Sequence, residues 1–527
     1  MLRSIAIVAC LAMHCAAQAT ECNSLDIDPN PRVNGWGINA QNHRFISDKD
    51  AGIDSGNVGR LEVNWVYALP ETDSPRFLPY ITSNTVFITD GDERVLALAR
   101  NSGCQKWVFE AGSAVRTALT YLAVGESNLL VFGTMSAELI ALDALTGEEQ
   151  WRTLASEHPK AMISGSAVAH GGRIFQPVSS WELAWAVNPF YGCCTFRGPI
   201  VAVDAASGRL QWRNYTIQIE PTVFRPRLIL PDLMGPSGAP VWSQPTVDAK
   251  LDRIYVGTGE NYSSPANDTS DAILAFDMQT GELLWKQQFL ANDAWNVACE
   301  LPIDFNCPDE RGQDLDFGAP PILLTIDGKD VILAGQKSGY IYALDPDNNG
   351  KLLWKQKPGN GGKAGGIHFA MAVDPARGVL FVPISDRDVG FYGDNPPGEP
   401  QPSLQAFNAQ TGDRLWRTNA PGDCLNDEEE IDNCFIGFSA APTATDSLVF
   451  APTLDGVIRA FDSYTGTEVW KHSTLRSYEA VNGGTANGGS IDFGGIFVDG
   501  GELFVNSGYG LVGQMPGNAF IVMSVKP

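Results

Sequence analysis

One motif recurs seven times and constrains every other reading of this chain. The copies are ALARNSGCQKW (97–107), ALDALTGEEQW (141–151), AVDAASGRLQW (202–212), AFDMQTGELLW (275–285), ALDPDNNGKLLW (343–354), AFNAQTGDRLW (406–416) and AFDSYTGTEVW (460–470). Each reads as an apolar strand, an Asp or Asn turn, a Gly, three residues and a Trp. The Gly takes the positive φ of a tight hairpin, and the Asp or Asn can bond the turn amides. The Trp falls on the returning strand, where a large ring fills the gap between neighbouring sheets. Successive motif glycines lie 44 to 73 residues apart, which suits four-stranded blades with insertions of unequal length. The expected fold is therefore all-β, an eight-bladed propeller, with seven blades as the alternative. The eighth unit would be assembled from both ends: LEVNWVYAL (61–69) as an outer strand carrying Trp65, with ELFVNSGYG (502–510) and NAFIVMSV (518–525) inside it. Such closure leaves no free sheet edge.

A chain of 527 residues with 54 Gly and 33 Pro suits one large, turn-rich ring. Its net charge of −25 repels phosphate backbones, which argues against nucleic acid and anionic membranes as partners. No apolar run reaches the eighteen residues that a membrane span needs. Arg3, the apolar run from Ile5 to Met13 and the small residues Ala17-Gln18-Ala19 read as a signal peptide over 1–19, leaving one exported domain over 20–527. Removing Cys10 and Cys15 leaves eight cysteines. Cys193 with Cys194, Cys299 with Cys307, and Cys424 with Cys434 form local pairs, and Cys22 with Cys104 remains by elimination. An even count in an exported chain fits disulfides. No CxxCH run is present, so a covalent haem c is not expected.

The repeat resembles the tryptophan-docking motif of pyrroloquinoline quinone (PQQ) dehydrogenases. The segments between the repeats narrow the likeness to the polyvinyl-alcohol dehydrogenase branch. These are WGINAQNHRF (36–45), CCTFRG (193–198), GAPVWSQPTVD (238–248), IYVGTGENYSSP (254–265), DAWNVAC (293–299), AGQKSGYIYALDP (334–346), VNGGTANGGS (481–490) and MPGN (515–518). Together they span almost the whole exported part.

The resemblance implies PQQ and a calcium ion, and it distributes the site. Trp242 would form the floor under the flat cofactor. Glu182 sits where related quinoproteins place a calcium carboxylate, with Glu260 or Asn261, just after Gly257-Thr258-Gly259, as the next ligand. Lys337 would stabilise the oxyanion formed as hydride is transferred. Arg197 could hold a cofactor carboxylate, and a Cys193–Cys194 disulfide could wall the pocket or be merely structural. Methanol-type relatives carry a catalytic Asp after the Trp of a DxWD stretch, where this chain reads Asp293-Ala294-Trp295-Asn296. Asn296 cannot accept a proton, so it would orient substrate or metal, and Asp293 or a metal-linked Glu182 would be the base. Ala298 lacks the extra carboxylate of lanthanide-preferring enzymes, which leaves calcium as the expected metal.

The implied activity is oxidation of secondary or polymeric alcohols in the periplasm, with electrons passed to a soluble cytochrome c. The alternative is a noncatalytic PQQ-repeat propeller that binds proteins or glycans as a scaffold, a reading that Asn296 favours.

Overall fold

A computed structural model describes residues 22, 24–387, 400–422, 424–426 and 429–527. The signal-peptide expectation over 1–19, with Cys10 and Cys15, lies outside them. Among the described residues are eight four-stranded antiparallel sheets, and these are the blades of a β-propeller. Blade 1 comprises Tyr80–Ile81, Thr85–Thr89, Arg94–Ala99 and Gln105–Glu110; blade 2 comprises Thr120–Val124, Ser127–Gly133, Glu138–Asp143 and Glu149–Leu154. Blade 3 comprises Val168–His170, Arg173–Pro177, Pro199–Asp204 and Leu210–Tyr215; blade 4 comprises Thr246–Asp248, Arg253–Gly257, Ala272–Asp277 and Leu283–Gln288. Blade 5 comprises Ile322–Ile326, Lys329–Gly335, Ile341–Asp345 and Lys351–Gln356; blade 6 comprises Ala372–Asp374, Val379–Ile384, Ser403–Asn408 and Arg414–Asn419. Blade 7 comprises Thr443–Ala444, Leu448–Phe450, Val457–Asp462 and Glu468–Ser473. Blade 8 joins Ile496–Asp499, Glu502–Ser507 and Ala519–Val525 to Leu61–Ala68, which pairs along Ala519–Val525.

The repeat explains how neighbouring blades meet. Trp107 Nε1 donates to the Ala144 carbonyl at 3.2 Å, Trp151 to Ala205 at 3.0 Å, and Trp212 to Met278 at 3.1 Å. Trp354 reaches Ala409, Trp416 reaches Ser463, and Trp65 reaches Arg100 in the same manner. Each ring lies over the turn glycine of the next blade. At Gly147, whose φ is +75°, a Cβ would fall 2.8 Å from the Trp107 ring, so both the conformation and the space demand glycine. A second constant became intelligible only in the structure. Each motif Trp pairs across the ladder with the Ala of its own motif, as in Ala97↔Trp107 and Ala275↔Trp285, and the register slips by one residue directly after it. The small residue makes room for the large ring, and the bulge turns the outer strand outward.

The first strand of each sheet leaves one edge facing the centre of the ring. Residues 32–46 run round this inside edge and bond to seven of the eight blades in order. Val33 pairs with Ile81, and the Asn34 side chain with Tyr121. The Ala40 and Gln41 carbonyls accept from the Val247 and Leu323 amides, the His43 carbonyl from Val373, and the Arg44 carbonyl from Ala444. Arg44 itself is fully buried. It donates to the carbonyls of Pro442 (2.6 Å), Trp36 (2.7 Å) and Gly494 (2.9 Å), and to Thr443 Oγ1 (3.1 Å). The block WGINAQNHRF is therefore an inner belt.

Among the described residues are four disulfides: Cys22–Cys104, Cys193–Cys194, Cys299–Cys307 and Cys424–Cys434.

Candidate active site

Blades 4 and 5 build the site. Trp242 stands just before the inner strand of blade 4, and Glu260 follows its second strand. Lys337 follows the second strand of blade 5, while Asp314 and Asp316 come from the connection between the two blades. Both aspartates turn to one side, where Lys337 meets them. Trp242 Nε1 donates to Asp316 Oδ2 at 2.9 Å, and Lys337 Nζ donates to the same oxygen at 3.0 Å and to Asp314 Oδ1 at 2.8 Å. The Glu260 amide donates to Asp316 Oδ1 at 3.1 Å. Gly259 allows this approach, because a Cβ there would sit 2.8 Å from Asp316 Oδ1. The Lys337 ammonium lies 5.4 Å from the Trp242 ring centroid. His368 meets that ring edge-on at 6.1 Å and stacks on Phe369 at 4.0 Å.

Three carboxylates thus surround one ammonium, and one ligand oxygen from each of Glu260, Asp314 and Asp316 lies within 4.8 Å of the others. Burial, followed by the charges of Asp316 and Asp314, pushes Glu260 well above the usual carboxylate range. Burial likewise pushes Asp314 up to about 8 against the pull of Lys337. For Asp316 burial acts in the same sense, but Lys337 and the contacts from Glu260 and Trp242 outweigh it and hold the group low. Burial works against the Lys337 charge, yet Asp314 and Asp316 keep it protonated far above its ordinary range. His368 is kept neutral by burial and by the nearby charge of Lys337.

Of the residues expected from sequence, Trp242, Lys337 and Glu260 converge here. The others lie around the group rather than in it. Asn261 is turned away, donating to the Ser237 carbonyl and exchanging bonds with Asn267. Asn296 caps the turn Val297–Glu300 by accepting from Ala298 N, and its amide donates to the Tyr262 and Asn306 carbonyls. Its side chain thus ties together three stretches of backbone. Asp293 braces the aspartate loop from behind, accepting from the Asp314 and Leu315 amides at 3.3 and 3.2 Å. Its carboxylate does not enter the three-acid group. Arg197 is spent on Glu220 and lies 4.0 Å over Tyr215.

Glu182, expected as a metal ligand, is not part of the three-acid group. It is fully buried, and both of its oxygens are occupied: Oε1 by Tyr191 OH (2.8 Å) and Thr195 N (2.8 Å), Oε2 by Phe196 N (2.7 Å). Burial alone would raise its pKa, but the adjacent His158 and these amides hold it below the usual range. Its task is to anchor the backbone directly after Cys193–Cys194. That disulfide is buried with Phe196, Tyr262 and Ala298, 4.0 Å from the Asn296 amide, so it is part of the packing beneath this loop. Glu182→Gln should place an NH2 group against amide donors and cost about 1–3 kcal/mol. Urea unfolding should register that loss, while calcium affinity measured by titration should stay unchanged.

Two family models match the chain. One, described as outer membrane protein assembly factor BamB, matches residues 62–217 and 337–487; the other, described as the glucose/ethanol/alcohol dehydrogenase β-propeller domain, matches 194–358. Among solved structures, the quinohemoprotein alcohol dehydrogenase of Comamonas testosteroni shares the fold with a TM-score of 0.65 at 20% identity, covering 93% of this chain and 80% of that one. Propeller, repeat and site together define a quinoprotein of the alcohol-dehydrogenase class. Polyvinylalcohol dehydrogenase of a Pseudomonas species is 34% identical over 491 residues, 92% of this chain and 74% of the relative. The same enzyme of Sphingopyxis sp. (strain 113P3) is 33% identical over 509 residues, 93% and 75% of the two chains. The chain belongs to the polyvinyl-alcohol dehydrogenase family.

Proposed function

We propose that this protein oxidises secondary alcohols, including polymeric ones, to ketones with PQQ and a calcium ion, in the periplasm, and passes the electrons to a cytochrome c. One observation carries the reading: a buried, ionised Asp316 touches both Trp242 and Lys337, with Glu260 and Asp314 beside it.

The residues fit both groups. Carboxylate oxygens this close suit a hard cation with oxygen ligands, and Glu260, Asp314 and Asp316 would supply them. Trp242 offers a flat face, half-buried, beside a cation. When bound, PQQ would supply an orthoquinone able to accept the hydride of the carbinol carbon, and oxidation to the ketone also requires loss of the hydroxyl proton to a base of this chain. Asp316 is the ionised acceptor for that proton. Lys337, protonated throughout, faces the negative charge that develops on oxygen. A scaffold has no use for three carboxylates, two buried and one half-buried, around one ammonium, an arrangement that costs several kcal/mol in desolvation.

Periplasmic location is supported by the four disulfides. No helix among the described residues is long and apolar enough to cross a membrane. The net charge of −25 suits a basic electron acceptor.

A long substrate is supported by the surface near the site. Insertions from blades 3 and 4 carry exposed Trp181, Trp185, Phe190, Leu228, Ile229 and Phe305. They are tied together by Asn306 Nδ2 donating to the Ala186 and Asn188 carbonyls and by Arg227 donating to Phe305. The methylene backbone of a polymeric alcohol can lie on such a surface. Leu228→Ser with Ile229→Ser should raise KM for poly(vinyl alcohol) about tenfold and leave KM for a small secondary alcohol unchanged.

The direct test adds PQQ and calcium to the protein and follows dye reduction with several secondary alcohols. Reduction with none of them would overturn the proposal.

A further inference from the structure

In the connection between blades 5 and 6, the glycine-rich run GNGGKAGG (359–366) folds into a tight turn beside Lys337. Its two ends are gathered by Asp386, which accepts from the Asn360 and Gly361 amides at 2.9 and 3.1 Å and from Gly366 N at 3.4 Å. The tip is closed by Gly365 N donating to the Gly362 carbonyl at 2.9 Å, and Gly362 N donates to the Lys337 carbonyl at 3.0 Å. Glycine permits that approach, because a Cβ on Gly366, whose φ is +57°, would fall 2.2 Å from the Lys337 oxygen. Lys363 is therefore presented from a fixed base.

Lys363 reaches across to the connection between blades 4 and 5. Its ammonium pairs with Glu300 Oε1 and lies 5.0 Å from the centre of the Trp295 ring. Trp295 Nε1 donates to the same oxygen at 2.9 Å. Glu300 Oε1 is thus held from two sides, whereas no described residue donates to Oε2. The Glu300 side chain keeps 18% of its surface exposed, and Oε2 is not enclosed. The position of this carboxylate gives it a use. Trp295 N donates to the Asn261 carbonyl at 2.7 Å, one residue beyond Glu260. On its other side Glu300 leads into Leu301, Ile303 and Phe305, exposed on the loop that Cys299–Cys307 closes. Along this connection it stands between the neighbourhood of the three acids and the apolar surface.

A carboxylate oxygen held in one orientation accepts from a hydroxyl as a charge-assisted bond, without requiring charge on the ligand. We propose that Glu300 Oε2, fixed by Lys363 and Trp295, binds one hydroxyl of a polyhydroxylated chain while another hydroxyl of the same chain occupies the reaction centre. This rests on the polymeric-alcohol reading above and adds a selection rule to it. Chains bearing several hydroxyls are preferred, and a plain hydrocarbon tail gains nothing at Glu300.

The experiment is calorimetric binding of a water-soluble oligomer of vinyl alcohol to the whole protein without PQQ, beside steady-state kinetics with PQQ and calcium. Glu300→Gln keeps an oxygen for Trp295 and Lys363 but removes the carboxylate. Lys363→Met keeps the stem and releases the carboxylate from its orientation. Each should weaken oligomer binding about tenfold and raise the KM for the oligomer by about the same factor, with its kcat and both constants for butan-2-ol unchanged. The double variant should lose less than the product of the two, because both act through one oxygen. A pair that served only to tie the two connections together would lower the unfolding temperature without moving KM. That outcome, or failure of the wild-type protein to bind the oligomer, would overturn the inference and leave the PQQ reading standing. Oligomer binding that weakens in the variants, in a protein that oxidises no alcohol, would overturn the PQQ reading and leave the hydroxyl site standing.

Discussion

Asp316→Asn is expected to lower turnover about 10²–10⁴-fold, the range for loss of a positioned general base. The substitution keeps the size of the side chain, and its amide oxygen can still accept from Trp242 or Lys337. It cannot hold the hydroxyl proton. Asp293→Asn tests the alternative base. Its carboxylate accepts only the Asp314 and Leu315 amides, and an amide oxygen can keep one of those bonds. A modest loss of turnover is expected there, through displacement of the aspartate loop. Reconstituted enzyme assayed with one secondary alcohol decides between them: equal loss in both variants would make Asp316 a structural residue.

Arg44→Ala is expected to have the largest effect on stability. Arg44 has no anionic partner; burial pushes its pKa down to about 9, and it holds its place through backbone carbonyls and the faces of Phe497 and Trp36. Alanine would strand three carbonyls at about 1–3 kcal/mol each and open a cavity besides. A loss above about 4 kcal/mol in guanidinium unfolding is expected. Less than about 1 kcal/mol would mean that the belt contributes little to holding the ring together.

The fold was legible because the repeat records its own geometry. Trp, turn Gly and motif Ala are each forced by contact with the others, so one copy interprets the next. The site was legible only where it adjoins a blade strand, as Trp242, Glu260 and Lys337 do. Asp314 and Asp316 lie at the end of a connection of more than thirty residues, from Phe289 to Pro321, where no periodicity fixes the direction of a side chain. The Asp293-Ala294-Trp295-Asn296 stretch drew attention to the other end of that connection. The available signal was the Asp-Leu-Asp-Phe run of 314–317, two acids two positions apart shortly before a blade strand. Glu182 shows a related limit of local sequence: a buried Glu in a loop serves a metal or a backbone equally well, and here backbone amides of Thr195 and Phe196 donate to it.

The inner belt also dictates an order of events. Residues 32–46 emerge before any blade exists, yet the partners of Arg44 lie 398 and 450 positions downstream. Closing such long loops adds little free energy beyond shorter ones, but it delays the contacts until the distant partners have formed. The earliest segment of the chain is thus the last to find its place, and it does so only when seven blades stand in sequence round the ring. A missing blade among these seven leaves a gap in the row of partners, so docking of the belt serves as a checkpoint on the assembly of the ring.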